Sequence, residues 1–251
     1  ILMVFLLMNT IIRSFSYRKL SYKLLRKIII FSLPFVPAGI FTMMMELADR
    51  YLLEWMIGTS AVGIYSTGYK FGMFGLLLVM GFNMGWTPFF LKQSKNKDAP
   101  IIFSKITTYF LCTYGLVTIF ISIFIDQIVK LNFGSFNLIG ESFWSSTSIV
   151  PIICLSYYFF GLYVLQLPSI YIPEKTKWVP IFRAIGAFTN IGLNIVIIPF
   201  YGILGAAWAT VLSQALMAFI TFVKTRNLYK IPYSKIAIFI PFLFILGSIF
   251  I

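Results

Sequence analysis

The residues best suited to chemistry lie at the end of one long apolar stretch. Four charged residues close that stretch: Glu46, Asp49, Arg50 and Glu54. Arg50 carries a planar guanidinium that can hold a phosphate group through two hydrogen bonds. Glu46 and Asp49 are candidates for binding a coupling proton or sodium ion, because a carboxylate facing a low-dielectric cavity can titrate in the physiological range. An ion pair with Arg50 also explains both acids, and we favour it because membrane carboxylates are usually paired.

Other polar side chains lie inside apolar stretches, where they are costly and often functional. Lys70 is a second cation that can contact an anionic ligand or extend to the lipid headgroups. Asn190 and Asn194 are four residues apart and share a helical face. Together with Gln166, they can hydrogen-bond a polar ligand or join one helix to another. The candidate ligand-binding residues are therefore Arg50, Lys70, Asn190, Asn194 and Gln166.

The stretch before these charges must position the first of them. Residues 28–47 contain a single charge and are long enough to cross a hydrocarbon core of about 30 Å. We therefore expect Asp49 and Arg50 near the opposite membrane interface. Pro34 and Pro37 interrupt the helical hydrogen bonds, which a membrane tolerates only beside protein or a water-filled cavity. They are the hinge candidates, in an element expected to move or to line a cavity.

The composition is that of an integral membrane protein. Of the 251 residues, 60% are hydrophobic and 11% are charged, against about 25% charged residues in soluble domains. Histidine is absent, and the two cysteines lie in apolar stretches. Within this chain, Ser-His-Asp and Cys-His catalysis, His-ligated zinc and a disulfide framework are thus excluded. We expect a non-enzyme without a metal or other cofactor. The net charge of +13 comes from bases between apolar stretches, which indicates membrane topology rather than nucleic-acid binding.

The basic residues also set the orientation of the apolar stretches. Seventeen of the 20 Lys and Arg residues lie in alternate connections, and such connections face the cytoplasm. The expected fold class is all-α, a polytopic transmembrane helix bundle with six complete spans and a partial span at each end. Because both ends of the chain are apolar, we expect a fragment of a longer protein. The basic, cytoplasmic connections are 13–27, 92–105, 174–183 and 224–235.

The connections divide the chain into five units. The leucine spacing within residues 13–27 favours a short amphipathic surface helix, which serves either as a topology anchor, the role we favour, or as a lipid-headgroup site. The pairs Gly68/Gly72 and Gly81/Gly85 have the spacing that lets helices pack closely. The units are the end of a preceding helix (1–12), a basic cytoplasmic linker (13–27), a six-helix bundle (28–223), a cytoplasmic loop (224–235) and the start of a further helix (236–251).

Several short motifs resemble one family of membrane transporters. They are the Leu33-Pro34 helix start, the Asp49-Arg50 pair, Gly63-Ile64-Tyr65-Ser66 opening the next span, Trp86-Thr87-Pro88-Phe89-Phe90 closing it, and Tyr201-Gly202-Ile203-Leu204-Gly205-Ala206-Ala207 opening a late helix. In this order and with this topology, the chain from about Arg13 to Lys235 resembles the C-terminal half of polysaccharide flippases. These belong to the multidrug/oligosaccharidyl-lipid/polysaccharide transporter superfamily.

The resemblance implies a transporter of 12 to 14 helices, built as two six-helix bundles around a central cavity, with this chain as the second bundle. It implies movement of undecaprenyl-pyrophosphate-linked oligosaccharides from the inner to the outer leaflet of the bacterial inner membrane. Their glycans would be exported as capsule, O-antigen, lipopolysaccharide or a similar polymer. The partners it implies are that substrate, membrane lipids, the N-terminal half of the same protein and polysaccharide polymerase machinery.

Other functions stay open at this stage. A drug or cation exporter and a lipid II flippase are alternatives within the same superfamily. A membrane glycosyltransferase or polymerase is an alternative from another class, and it should carry catalytic residues in a long outer connection. The outer connection 126–146 holds only Asp126, Lys130 and Glu141 as charged residues. This argues against the enzyme.

Overall fold

The computed structural model describes residues 21–133, 136–137 and 139–250. The expected preceding helix, 1–12, and residues 13–20 of the basic linker lie outside the described residues. In chain order the elements are α1 (Tyr22–Ser32), α2 (Phe35–Met56), α3 (Thr59–Gln93), α4 (Ala99–Val129), the hairpin strands β1 (Asn132–Phe133) and β2 (Phe136–Asn137), a 3₁₀ helix (Glu141–Ile149), α5 (Val150–Leu165), α6 (Pro168–Tyr171), α7 (Trp178–Thr225) and α8 (Lys235–Ser248).

Most of the described chain is helix of membrane length. Helical segments that are long and apolar enough to cross a bilayer are Tyr22–Met56, Thr59–Gln93, Ala99–Val129, Glu141–Tyr171 and Trp178–Thr225. A helix pairs its backbone N–H and C=O groups internally, which the hydrocarbon core of a membrane requires. The expected fold class, an all-α polytopic membrane bundle, is confirmed.

The 48-residue helix α7 is a hairpin rather than a straight rod. Gly202 has φ 56° and ψ −131°, a left-handed conformation that favours glycine. Contacts pair the two sides of this turn. Nδ2 of Asn190 lies 3.4 Å from Oγ1 of Thr210, and Nζ of Lys224 lies 4.0 Å from the ring centre of Trp178. The arm before Gly202, α7a, and the arm after it, α7b, are therefore two antiparallel membrane-length segments.

Helix α5 is the centre of the bundle. Nearly all of its residues are buried, as expected for a helix that is apolar on every side. It packs against α3, α4, α7 and α8, and the hydroxyl of Tyr114 in α4 donates to the carbonyl of Cys154 at 2.7 Å. Helix α2 packs mainly on α7. As a result, α2, α3, α5 and α7 form one side of the bundle.

The prolines interrupt the first span less than the sequence suggests. Leu33 and Pro34 both have right-handed helical angles, and the N–H of Leu33 donates to the carbonyl of Ile29 at 2.8 Å. Pro37 lies in the first turn of α2, where a missing N–H costs little. The discontinuity between α1 and α2 is thus confined to the Leu33-Pro34 step. A hinge role for Pro34 and Pro37 stays a prediction.

Two of the basic connections are shorter than expected. Helix α4 begins at Ala99 and α7 begins at Trp178, so the ranges 92–105 and 174–183 both extend into helices. Each range ends at a basic residue, Lys105 or Arg183. Long cationic side chains also occur in the first turns of membrane helices, from which they reach back to the interface. Arg183 consequently lies about one and a half turns inside α7.

The two small-residue pairs of α3 have different surroundings. A Cβ at Gly68 would lie 2.3 Å from a backbone oxygen of the 3₁₀ helix, and a Cβ at Gly72 would lie 2.4 Å from Cγ2 of Ile153. Apart from the neighbouring backbone of α3, no atom of the described residues lies within 4 Å of a Cβ at Gly81 or Gly85. The first pair therefore lets α3 pack closely on α5 and the 3₁₀ helix, and the second pair has no such role among the described residues.

We expect Gly72→Ala to lower the free energy of unfolding by about 1–3 kcal/mol, because the new methyl group overlaps Ile153. Gly85→Ala is the matched control on the same helix. It should be neutral or slightly stabilising, since alanine is the better helix former. Circular dichroism, recorded during unfolding in detergent micelles, measures the stability of both variants. Equal stability of the two would contradict the close packing at Gly72.

Candidate functional site

One side of the bundle carries a groove between α2, α3, α5 and α7. Two adjoining cavities of about 30 Å³ and about 220 Å³ lie along it. Thr42, Phe160 and Arg183 line both cavities, so the two are parts of one depression, which we call the groove. Its other polar lining residues are Glu46, Tyr69, Asn83, Tyr157, Tyr163, Tyr171, Thr210 and Gln214.

Asp49 lies behind the groove wall, 1% exposed, at the centre of a hydrogen-bond network. Its Oδ2 accepts from the hydroxyls of Tyr65 at 2.6 Å and Thr210 at 2.8 Å. Its Oδ1 accepts from Nδ2 of Asn194 at 2.7 Å, and that amide also donates to the carbonyl of Asn190 at 2.9 Å. A single carboxylate thus joins α2, α3 and both arms of α7 through neutral donors.

The ion pair that the sequence favoured between Asp49 and Arg50 is not formed. Consecutive residues of a helix point about 100° apart, so Asp49 faces α3 and α7 while Arg50 points to a different side of α2. Arg50 donates from Nη1 to the carbonyl of Glu46, and its guanidinium carbon lies 4.6 Å from the ring centre of Tyr69. Salt bridges within the described residues lie elsewhere. The expected pairing was therefore wrong for both Asp49 and Glu46.

Three tyrosines connect the Asp49 network to the groove. Tyr65 and Tyr69 are one turn apart on α3, and their ring centres are 5.6 Å apart. The hydroxyl of Tyr157, on α5, donates to the hydroxyl of Tyr69 at 2.8 Å. The ring of Tyr69 therefore contacts the Asp49 network on one side and the Arg50 guanidinium on the other. A ligand that moves Arg50 acts directly on this ring.

Arg183 is the basic residue that lines both cavities of the groove. Its guanidinium carbon lies 4.9 Å from the ring centre of Phe160 and 4.7 Å from that of Tyr163. Such contacts hold a guanidinium by its face and leave its edge N–H groups available for an anion. Thr42, which lines the same cavities, is about 12 Å from Arg50 along α2. Arg50 lines neither cavity and borders the groove through the ring of Tyr69, so the two guanidinium groups lie at different depths along α2.

The predicted amide ligands do not face the groove. Nε2 of Gln166 donates to the carbonyls of Leu162 at 2.8 Å and Ala218 at 3.3 Å, so this side chain joins α5 to α7b. Asn190 and Asn194 are fully buried and support the carboxylate network. All three amides make the helix-to-helix hydrogen bonds that were their alternative role, because each has a backbone or side-chain partner within reach.

The positions of Lys70 and Arg183 differ from those that the sequence predicted. Lys70 is exposed and lines neither cavity, which fits its alternative contact with headgroups. Arg183 was assigned to a loop, although Pro180 signals the first turn of a helix and so places Arg183 inside the span. Thr210 carried no sequence signal, and Tyr65 appeared only within the motif Gly63-Ile64-Tyr65-Ser66. Among the residues that the structure describes, no cluster of three Cys, Asp or Glu side chains is suited to a metal ion.

Two solved structures share the fold of this chain. One is a transporter of the MOP superfamily from Pyrococcus furiosus Vc1 (DSM3638), reported to have a binding pocket of reverse polarity that suggests a different function. The other is a multidrug resistance MATE family transporter of the same superfamily in an outward-facing conformation. Each is 17% identical with a TM-score of 0.61, and the match covers 89% of this chain and 52% of the other. No family model and no curated protein matches the chain.

These matches show the fold. The chain spans about half the length of the two transporters, and its bundle reproduces an arrangement found in membrane transporters. Both neighbours are transporters rather than enzymes. This chain is accordingly a multi-pass membrane protein with the fold of a MOP superfamily transporter over about half of that fold's length.

Proposed function

We propose that this chain is one half of a transporter that moves oligosaccharides linked to undecaprenyl pyrophosphate from the inner to the outer leaflet of the bacterial inner membrane. Its groove would form one wall of a central cavity, and the other half of the protein would form the opposite wall. The half-length match to two MOP superfamily transporters supports this arrangement. The protein would move its substrate without making or breaking covalent bonds.

The observation that carries the proposal is a pair of guanidinium groups. Arg183 lines the groove, and Arg50 lies at its edge, against the ring of Tyr69. Arg50 and Arg183 both lie on aromatic rings, and neither forms a salt bridge within the described ranges. A charge in a membrane bundle is costly unless a function or a partner compensates it. A pyrophosphate is a suitable partner, because its oxygens accept paired N–H donors from each guanidinium.

The rest of the groove suits the other two parts of such a substrate. Side chains of Thr42, Asn83 and Tyr157 offer hydroxyl and amide groups to a glycan. The outer face of α2 exposes apolar side chains, among them Ile40 at 56% and Met43 at 62%, which can contact a polyprenyl chain in the bilayer. The groove and its surroundings thus offer charge, polar groups and apolar surface for the three parts of a lipid-linked sugar.

A drug or cation exporter is the second candidate. Glu46 is exposed and lines the groove, and a carboxylate there suits a cationic substrate. One neighbour of the same fold is a multidrug resistance transporter, and the other was described through the polarity of its pocket. Pocket charge is therefore the property that should separate the two candidates. Here one guanidinium in the groove lining and a second at its edge, against one exposed carboxylate, favour an anion.

The test is a transport measurement on the full-length protein in liposomes. We expect an undecaprenyl-pyrophosphate-linked oligosaccharide, supplied on one leaflet, to become accessible to a lectin on the other leaflet only when the protein is present. Empty liposomes and liposomes with an unrelated multi-pass protein are the controls. Absence of movement together with efflux of a cationic dye would contradict the proposal and identify an exporter.

A further inference from the structure

A separate cavity, outside the groove, lies at the N-terminal end of the first span. It measures about 420 Å³ and lies between α1 and the turn that joins α6 to α7. Five basic side chains line it, with one acid, Glu174, so its lining has a formal surplus of four positive charges. The bases are Lys23, Arg26 and Lys27 from α1, and Lys175 and Lys177 from the turn.

Local structure fixes both walls of this basic pocket. The three bases of α1 are spaced three and four residues apart and so share one helical face. In the turn, Glu174 has a φ of 56°, which is uncommon for a residue with a side chain. The N–H of Lys175 donates to the carbonyl of Ile170 at 2.8 Å. The rings of Phe31 and Tyr171, 6.1 Å apart, hold the α1 wall against the turn.

Glu174, the only acid among the described lining residues, balances little of this charge. Nζ of Lys27 lies 2.7 Å from Oε1 of Glu174, and both side chains are more than half exposed. Exposed pairs of this kind contribute little to stability. Lys27 can therefore exchange Glu174 for a stronger anion, and four further bases already face the same space.

The side chains around the pocket indicate a position at the membrane interface. Ile30 and Phe31 line its inner side, and α1 leads into the membrane-length helix α2. Side chains of Ile28 and Ile29 are exposed beside it. Basic pockets at this depth bind the headgroups of anionic lipids. We propose that this pocket binds the phosphate group of an anionic phospholipid, whose acyl chains lie along the exposed apolar residues of α1.

Native mass spectrometry of the full-length protein in detergent tests this inference, with phosphatidylglycerol as the probe and phosphatidylcholine as the neutral reference. We expect selective binding of phosphatidylglycerol. The double variant Lys175→Gln/Lys177→Gln should weaken it roughly 25-fold, about fivefold for each base lost. The matched control, Lys95→Gln/Lys97→Gln, removes the same charge from exposed positions in another basic connection and should leave binding unchanged.

A variant with the opposite effect separates binding from misfolding. Glu174→Gln removes the competing acid and should tighten phosphatidylglycerol binding roughly fivefold, a gain that a damaged protein would not show. Equal losses in the two lysine variants, or equal binding of both lipids, would overturn the proposal. So would binding of inorganic phosphate with the same affinity as the lipid, because the ligand would then be a soluble anion. None of these readouts depends on transport.

Discussion

Replacing Asp49 with alanine is expected to lower the free energy of unfolding by about 2–4 kcal/mol. Two of the three side chains that donate hydrogen bonds to the Asp49 carboxylate have other acceptors. Thr210 can donate to the carbonyl of Ala206 at 3.1 Å, and Asn194 already donates to the carbonyl of Asn190. The hydroxyl of Tyr65 is left unsatisfied and fully buried, beside the small cavity that the lost carboxylate leaves. The penalty follows from these two effects, an unmet hydrogen bond and a void.

Unfolding in detergent micelles measures this loss, with Glu54→Ala as the matched control. Glu54 is an exposed acid on the same helix, so its replacement removes a carboxylate without touching the network and should change stability by less than about 0.5 kcal/mol. If Asp49→Ala were as stable as Glu54→Ala, the carboxylate would not hold α2, α3 and α7 together.

The isosteric change Asp49→Asn separates this structural role from ion coupling. The asparagine oxygen can still accept from Tyr65 and Thr210, and its amide can donate to Oδ1 of Asn194 once the Asn194 amide turns over. We therefore expect a stability between that of the unchanged protein and that of Asp49→Ala. Transport driven by a proton or sodium gradient in liposomes should nevertheless be lost if Asp49 carries the coupling ion, because the amide cannot titrate. Retained gradient-driven transport would assign Asp49 to structure alone.

The spans could be predicted because lipid permits few solutions. A run such as 28–47 must be helical, since its backbone groups have no other partner in hydrocarbon, and the glycine at position 202 marks the turn of the α7 hairpin. The central position of α5 could not be predicted in the same way. Its side chains are apolar on every side, and periodicity then cannot tell a helix surrounded by protein from one surrounded by lipid.

The site was predictable only where it depends on local geometry. The failure of the Asp49-Arg50 pair follows from the helix itself, because adjacent residues do not face each other. The partners that Asp49 does have on α7, Asn194 and Thr210, are 145 and 161 residues away in the sequence. Their meeting depends on how α7 packs on α2, and no spacing rule reports that. Arg183 was missed for another reason, since counting bases into loops placed it outside the span.

Replacing Arg183 with glutamine is expected to reduce the initial rate of lipid-linked oligosaccharide movement by about 10- to 100-fold. The estimate corresponds to losing a charge-assisted hydrogen bond of about 1.5–3 kcal/mol to the pyrophosphate. The rate of Arg183→Lys should lie between the rates of the unchanged protein and Arg183→Gln, because lysine keeps the charge but loses the planar pair of donors. The liposome assay with externally added lectin measures all three rates.

Arg226→Gln is the matched control for this change. Arg226 is an exposed arginine just beyond the end of α7, so the substitution is identical and lies outside the groove, and its rate should equal that of the unchanged protein. If the protein is an exporter, Arg183→Gln should have the opposite effect. Removing a cation that lines the same cavity as Glu46 should leave the rate of cationic dye efflux unchanged or raise it. Unchanged oligosaccharide movement in Arg183→Gln would therefore remove the pyrophosphate contact from the mechanism, and faster dye efflux would show that the groove selects cations.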